Sequence, residues 1–257
     1  MKKLIYFFSI ILLATACNLS NKQKGEAKDK SALVFSTVEY KEQLTLPGKD
    51  ATEFVATIPV AGGENEAAKN INDAVFRVVR SIVGQEGDAS TDYNSLFKGF
   101  ITNYQSFIKD NPDYPLNWDG SIKGSVEYLT SDIANIKLVS YTMTGGAHGN
   151  PYTTSLLFNP QSGKELSVGD IVSDTVALAK IAENKFRQKY EIPADKQINS
   201  TGMMFLDNKF ALPQNIFVTK DALNLFYNVY EIAPYADGTR ELDIPYDEIK
   251  GYLLIKP

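Results

Sequence analysis

A single histidine and a single cysteine among 257 residues decide much of the chemistry open to this chain. These counts leave no internal disulfide, Cys/His zinc site, haem attachment motif or two-histidine metal centre, so neither a metal nor a cofactor is expected. His148 stands inside Gly145-Gly146-Ala147-His148-Gly149. Glycine serves where backbone takes positive φ or approaches something closely, so such a loop either binds a ligand through backbone N–H groups or forms a tight structural turn. It follows neither the G-x-G-x-x-G nor the Walker pattern, which argues against a nucleotide phosphate. An imidazole with an ordinary pKa near ~6.5 suits a general base, yet no G-x-S-x-G marks a nucleophile for it. Asp237 with Glu241, or Asp243 with Asp247 and Glu248, are carboxylate pairs of the kind sugar cleavage uses across ~5 to 9 Å. With 31 acidic residues in the chain, solvated surface is the expected role for most of them. No catalytic residue is assigned on these grounds. Tyrosine, present 14 times, offers large contact area and a hydrogen bond at low entropy cost. Tyr235, beside Ala236-Asp237-Gly238 on an expected loop, is a contact candidate.

Lys and Arg number 26 against 31 Asp and Glu, a net charge of −5. That leaves no basic surplus for a phosphate backbone, so nucleic acid is not an expected partner. Met1-Lys2-Lys3 followed by the apolar run Leu4 to Ala16 and then Cys17 reads as a secretory signal with a lipobox-like end. The run reaches about 20 Å as a helix, short of a ~30 Å hydrocarbon core. Residues 1–16 are therefore expected to be removed and Cys17 to carry lipid. Two or three acyl chains, at ~0.8 kcal/mol per buried CH₂, hold a protein durably on a bilayer. The expected location is the bacterial cell envelope, with the outer membrane favoured. Residues 17–32, polar and without aromatics, read as a flexible tether.

The elements that must position the glycine loop and the tyrosines follow from periodicity. Strand-like runs at Leu33 to Gln43 and Glu53 to Pro59 precede a helix whose stripe is Ile71, Ala74, Val75, Val78, Val79 and Ile82, closed by Gly84. A second helix presents Leu96, Phe97, Phe100, Ile101, Tyr104, Phe107 and Ile108, and ends at Asn111-Pro112. From Trp118 the period becomes two, giving a hairpin about Ser131-Asp132; its second strand leads into the glycine loop, and Thr153 to Phe158 is extended. A helix capped by Asp174 runs to Tyr190. Beyond Pro193 the chain is expected to be extended at Phe205, Phe210 to Leu212 and Ile216 to Thr219. After the Lys220-Asp221 turn, Leu223, Leu225, Tyr227 and Val229 alternate as a strand. A loop from Tyr230 to Gly238, a strand to Pro245 and a short helix from Tyr246 complete the chain. Strands and helices come in separate runs, so the expected class is α+β with mostly antiparallel sheets packed by helices. Two domains are expected, at 33–152 and 153–257.

Val139 to Val172 (VSYTMTGGAHGNPYTTSLLFNPQSGKELSVGDIV) and Phe217 to Leu253 (FVTKDALNLFYNVYEIAPYADGTRELDIPYDEIKGYL) resemble the paired extracytoplasmic domains of the RsiV/PdaC-like family. The marks are Tyr141 with Thr144 to Gly149, Gly163-Lys164 followed by Leu166 and Asp170, and Tyr230 to Tyr235 with Gly238 and Ile244-Pro245-Tyr246. The resemblance implies two α+β domains, the C-terminal one similar to a subdomain of the actin/Hsp70 ATPase fold, without nucleotide binding. It also implies a binding module, which in RsiV takes lysozyme. The expected function is thus a non-catalytic, lipid-anchored envelope protein recognising a protein, lysozyme-like for instance, or a peptidoglycan-related ligand. The candidate contacts are Tyr141, Gly145, Gly146, His148, Gly149, Tyr230, Tyr235 and Asp237. The competing expectations are a cell-wall hydrolase using His148 with a carboxylate, and a structural part of a surface complex.

Overall fold

A five-stranded sheet in the order β1-β2-β3-β4-β5 and a three-stranded sheet in the order β6-β7-β8 organise the fold. The computed structural model describes residues 33–256; the expected signal, the tether and Cys17 lie outside the described residues. Strands β1 (Phe35–Thr45) and β2 (Ala51–Ala61) form an antiparallel hairpin. β2 then pairs in parallel with β3 (Asp119–Leu129). A parallel pair needs a crossover, and helices α1 (Glu66–Val83) and α2 (Tyr93–Asp110) supply it. The α1 cap is Asn65, whose side chain accepts from the Ala68 N–H, and the α2 cap is a reciprocal Asp92–Ser95 box; each satisfies N–H groups the first helical turn leaves orphaned. The expected stripes face inward: Ile71, Val75 and Val79 of α1 and Phe97, Phe100 and Tyr104 of α2 are buried. The Phe54 ring of β2 stacks on Phe97 at 4.6 Å between centroids.

β4 (Ala134–Met143) and β5 (Asn150–Phe158) continue the sheet antiparallel. Past β5 come a single turn α3 (Val168–Ile171) and helix α4 (Thr175–Lys189), capped by Asp174 as its sequence indicates. β6 (Asn215–Val218), β7 (Ala222–Tyr227), β8 (Arg240–Pro245) and the short α5 (Tyr246–Ile249) follow. All pairings except β2 with β3 are antiparallel, and the class is α+β.

The boundary expected between 152 and 153 cuts through β5. Pro151 reads as a breaker, yet it sits on the outermost strand of its sheet, paired with Tyr141, where a missing N–H is tolerated. Alternation along β5 sends Leu156 and Phe158 to the core beneath α1 and α2, and Leu157 to a second core around Phe186, Leu223 and Tyr227. One strand serves both cores, and Leu33–Pro257 is one compact unit. Between Pro193 and Leu212 the expected extended structure is replaced by turns and a short 3-10 turn at Leu206–Asn208. Phe205 is buried there, but its strand partner is a side chain: Asn199 donates to the Phe205 carbonyl at 2.8 Å and accepts from its N–H at 2.9 Å.

Candidate functional site

The glycine loop, Thr144 to Gly149, connects β4 to β5 at one end of the large sheet. Gly145 and Gly146 both take positive φ, +117° and +93°, conformations that side chains with a Cβ resist. Gly149 is required for a different reason. A Cβ there would lie 2.3 Å from the Tyr141 ring, and one on Gly145 would lie 2.5 Å from the Tyr114 hydroxyl. Two tyrosines thus clasp the loop, Tyr141 from β4 and Tyr114 from the α2–β3 connection.

His148 projects from this loop and is exposed. Its Nδ1 lies 2.9 Å from the Gly149 carbonyl, and because a carbonyl only accepts, Nδ1 carries the proton. Nε2 is then the acceptor for the Tyr230 hydroxyl at 3.3 Å. The imidazole stacks on Tyr235, centroids 4.0 Å apart and planes inclined by 17°, and Tyr230 and Tyr235 are 5.5 Å apart. Residues 82 positions apart in the chain thereby form one surface.

The second loop is held there by polar clamps. β7 stops at Tyr227, one pair short of the expected Val229, because Asn228 leaves the ladder for β5. Its carboxamide accepts from the Thr153 N–H at 2.8 Å and donates to the Thr153 carbonyl at 2.9 Å. The Glu231 carboxylate accepts from the backbone N–H of Asn228 at 2.8 Å and of Gln214 at 3.1 Å, closing the turn. Tyr230 lies inside that turn at φ +65°, a left-handed conformation that costs a bulky residue ~1–2 kcal/mol. It is 60% exposed, so burial of the ring does not repay the strain.

Asp237 goes elsewhere. It closes the 3-10 turn Tyr235–Asp237, and its carboxylate pairs with Arg240 at 3.3 Å, whose guanidinium also lies over the Tyr190 ring at 5.6 Å. Among the described residues His148 hydrogen-bonds to the Gly149 carbonyl and the Tyr230 hydroxyl. Among the described residues no group of three His, Cys, Asp or Glu side chains is placed to hold a metal, and no helix is long and apolar enough to cross a membrane. Asn228 and Tyr114 build the site without having been singled out in the sequence, and Glu231 was marked only as part of the Tyr230 to Tyr235 run. Asn and Glu in a turn carry no mark distinguishing a clamp from a solvated side chain, whereas Tyr114, between Asp113 and Pro115, was open to recognition as a loop aromatic.

Residues 169–247 match the family described as "Protein of unknown function (DUF3298)". The matched segment includes the Tyr230–Gly238 loop and ends before the last turn; the His148 loop precedes it. A crystal structure of a DUF3298 family member from Bacteroides fragilis is similar at a TM-score of 0.67 and 20% identity, covering 86% of this chain and 94% of that one. A DUF3298 family protein from Pseudomonas aeruginosa is similar at 0.61 and 22% identity, covering 88% of this chain and 95% of that one. At these identities the likeness is one of fold. No curated protein matches the chain.

Proposed function

We propose that this chain is an RsiV/PdaC-like extracytoplasmic binding protein, exported, acylated at Cys17, and acting through surface complementarity instead of catalysis. The supporting observation is the meeting of the two candidate loops: His148, Tyr230 and Tyr235 form an exposed aromatic surface on a backbone fixed by buried polar clamps. Tyrosines held rigid before contact lose little entropy on binding and serve as anchors. Both imidazole nitrogens are engaged within the surface, which favours a structural and contact role for His148. The acidic balance of the chain assists encounter with basic envelope or lysozyme-like proteins.

The test is retention of lysozyme and of purified peptidoglycan fragments by the immobilised protein. Tyr235→Ala is expected to weaken retention about tenfold or more, the loss of ~1.4 kcal/mol or greater that an aromatic anchor carries. Absence of binding to both at low salt, where charge steering is strongest, removes the proposal. Cys17→Ser is expected to move the protein from the membrane to the soluble fraction, and unchanged partition contradicts the lipid anchor.

A further inference from the structure

We infer that the aromatic surface continues past Gly145 into a polar pocket and that the whole site takes a neutral glycan strand. The inference rests on the binding function proposed above and assigns its ligand. The register Glu53↔Asp119↔Met143 shows that the β1–β2 turn, the α2–β3 connection and the glycine loop all leave from the same end of the large sheet. Between the first two lies a cavity of about 410 Å³ lined by Lys49, Asp50, Asp113, Tyr114 and Asn117, among others. Tyr114 is the shared wall, because its hydroxyl also abuts Gly145. Gly145 is three residues from His148, at most about 11 Å along an extended chain, so pocket and aromatic surface are neighbours.

The two halves differ in chemistry. Exposed Tyr230 and the Tyr235–His148 stack offer ring faces and edges to the C–H faces of a pyranose. The pocket mixes acceptors and donors. Asp50 and Asp113 present carboxylates, Lys49 donates one hydrogen bond to the Tyr114 carbonyl at 2.7 Å and keeps others to give. Asn117 accepts from the Tyr104 hydroxyl at 2.9 Å, which turns its amide N–H₂ to other partners. Sugar hydroxyls donate and accept at once and suit that mixture. A phosphate would meet two carboxylates, and the one lysine beside them already donates to the Tyr114 carbonyl.

Trp118 is the chain's one tryptophan. It is buried, 5.5 Å from Phe107, and Phe107 makes an edge contact with Tyr114 at 5.0 Å, so it adjoins the pocket wall through one ring. Calorimetric titration of the full chain with chitotetraose and chitobiose, with Trp118 emission as a second readout, tests the inference. The tetramer is expected to bind about tenfold tighter than the dimer. Asp113→Ala and Tyr235→Ala are each expected to weaken it about tenfold, with thermal midpoints unchanged. A dimer as tight as the tetramer overturns the extension into the pocket, as do Asp113→Ala and Asn117→Ala variants that both stay within about twofold of the parent. Failure of the tetramer to bind a chain that still retains lysozyme through Tyr235 overturns the glycan assignment and leaves the binding function standing. Failure of tetramer, wall fragments and lysozyme alike overturns both.

Discussion

Replacing Asn228 by Ala removes two hydrogen bonds from Thr153 at once. Thr153 is 9% exposed, and the Asn228 carboxamide satisfies both its N–H, at 2.8 Å, and its carbonyl, at 2.9 Å. A buried backbone group left unpaired costs ~1–3 kcal/mol. Two such groups give ~2–6 kcal/mol, and because β5 is the outermost strand of its sheet, entering water holds the loss to the lower half, about 2–4 kcal/mol. That is a large share of the ~5–15 kcal/mol typical of a whole domain. With a urea m-value of about 2 kcal/mol/M, the unfolding midpoint by circular dichroism falls by roughly 1–2 M. Asn228→Asp sharpens the test. It keeps the size of the side chain and an acceptor for the Thr153 N–H, but sets a carboxylate oxygen where the carbonyl needs a donor, so it is expected to lose at least as much as Ala at neutral pH. Tyr230 hangs two residues beyond this clamp, so both variants also free it from His148 and weaken ligand retention. A midpoint within about 0.25 M of the parent for Asn228→Ala, equivalent to ~0.5 kcal/mol, refutes the clamp.

Tyr230→Gly relieves a left-handed conformation while deleting a proposed contact; stability is expected to stay level or rise by up to ~1 kcal/mol as ligand retention falls, and a marked drop in thermal midpoint would show that the ring supports the fold. Gly149→Ala drives a methyl group into the Tyr141 ring, 2.3 Å away. Tyr141 is partly exposed and can swing outward, so the stability loss is expected near ~1 kcal/mol, with a larger effect on binding. Asn65→Ala removes the α1 cap and is expected to lose about 1 kcal/mol in urea unfolding. The pH profile follows from three carboxyls held below the usual carboxylate range: Asp88 by the Ser90 hydroxyl and then Arg80, Asp92 by the Ser95 N–H, and Asp170 by Lys164 and Ser167. Stabilisation from a lowered pKa is complete above the unfolded value near ~3.9 and disappears as pH falls through the folded ones. The thermal midpoint should therefore be flat from neutral pH to about 5 and fall below about 4; a fall beginning between pH 7 and 5 contradicts this assignment.

Where apolar spacing decides, the sequence was readable. The stripes of α1 and α2, the Asp174 cap, the turns at Ser131-Asp132 and Lys220-Asp221 and the close of the Tyr230 loop at Gly238 all follow from periods and punctuation. The parallel pairing of β2 with β3 was not visible. Two helices separate those strands, and no local signal states on which side of β2 the chain returns. The region around Phe205 and Phe210 misled for a related reason. Both rings pack on Phe186, at 5.5 and 5.6 Å, so the positions are apolar as a strand requires, yet the backbone that carries them turns. Burial was legible; the backbone partner was not. The eight candidate residues divide similarly. Tyr230, Tyr235 and His148 converge, Tyr141, Gly145, Gly146 and Gly149 shape the loop, and Asp237 is taken by Arg240.

The missing information is concentrated in asparagine. Asn72 pairs with both the N–H and the carbonyl of Ala61, at 2.8 and 2.9 Å; Asn199 does the same for Phe205 and Asn228 for Thr153. Each carboxamide has one acceptor and two donors, enough to replace an adjoining strand at one residue. In sequence such an Asn reads as a turn or a solvated side chain, because the partner lies 6 to 75 positions away. The device also bears on function. The Tyr230 loop packs Ile232 into the second core, and the Asn228 clamp fixes the backbone just before it, so the tyrosines on either side of Ile232 are left free to face out. Tyr230 and Tyr235 therefore stand exposed or half-exposed on a fixed backbone, with ordering entropy lost at folding instead of at encounter. On the proposed binding function that arrangement gives a preformed recognition surface, and Asn228, which fixes the backbone before Tyr230, is expected to matter to binding, as the tyrosines it presents do.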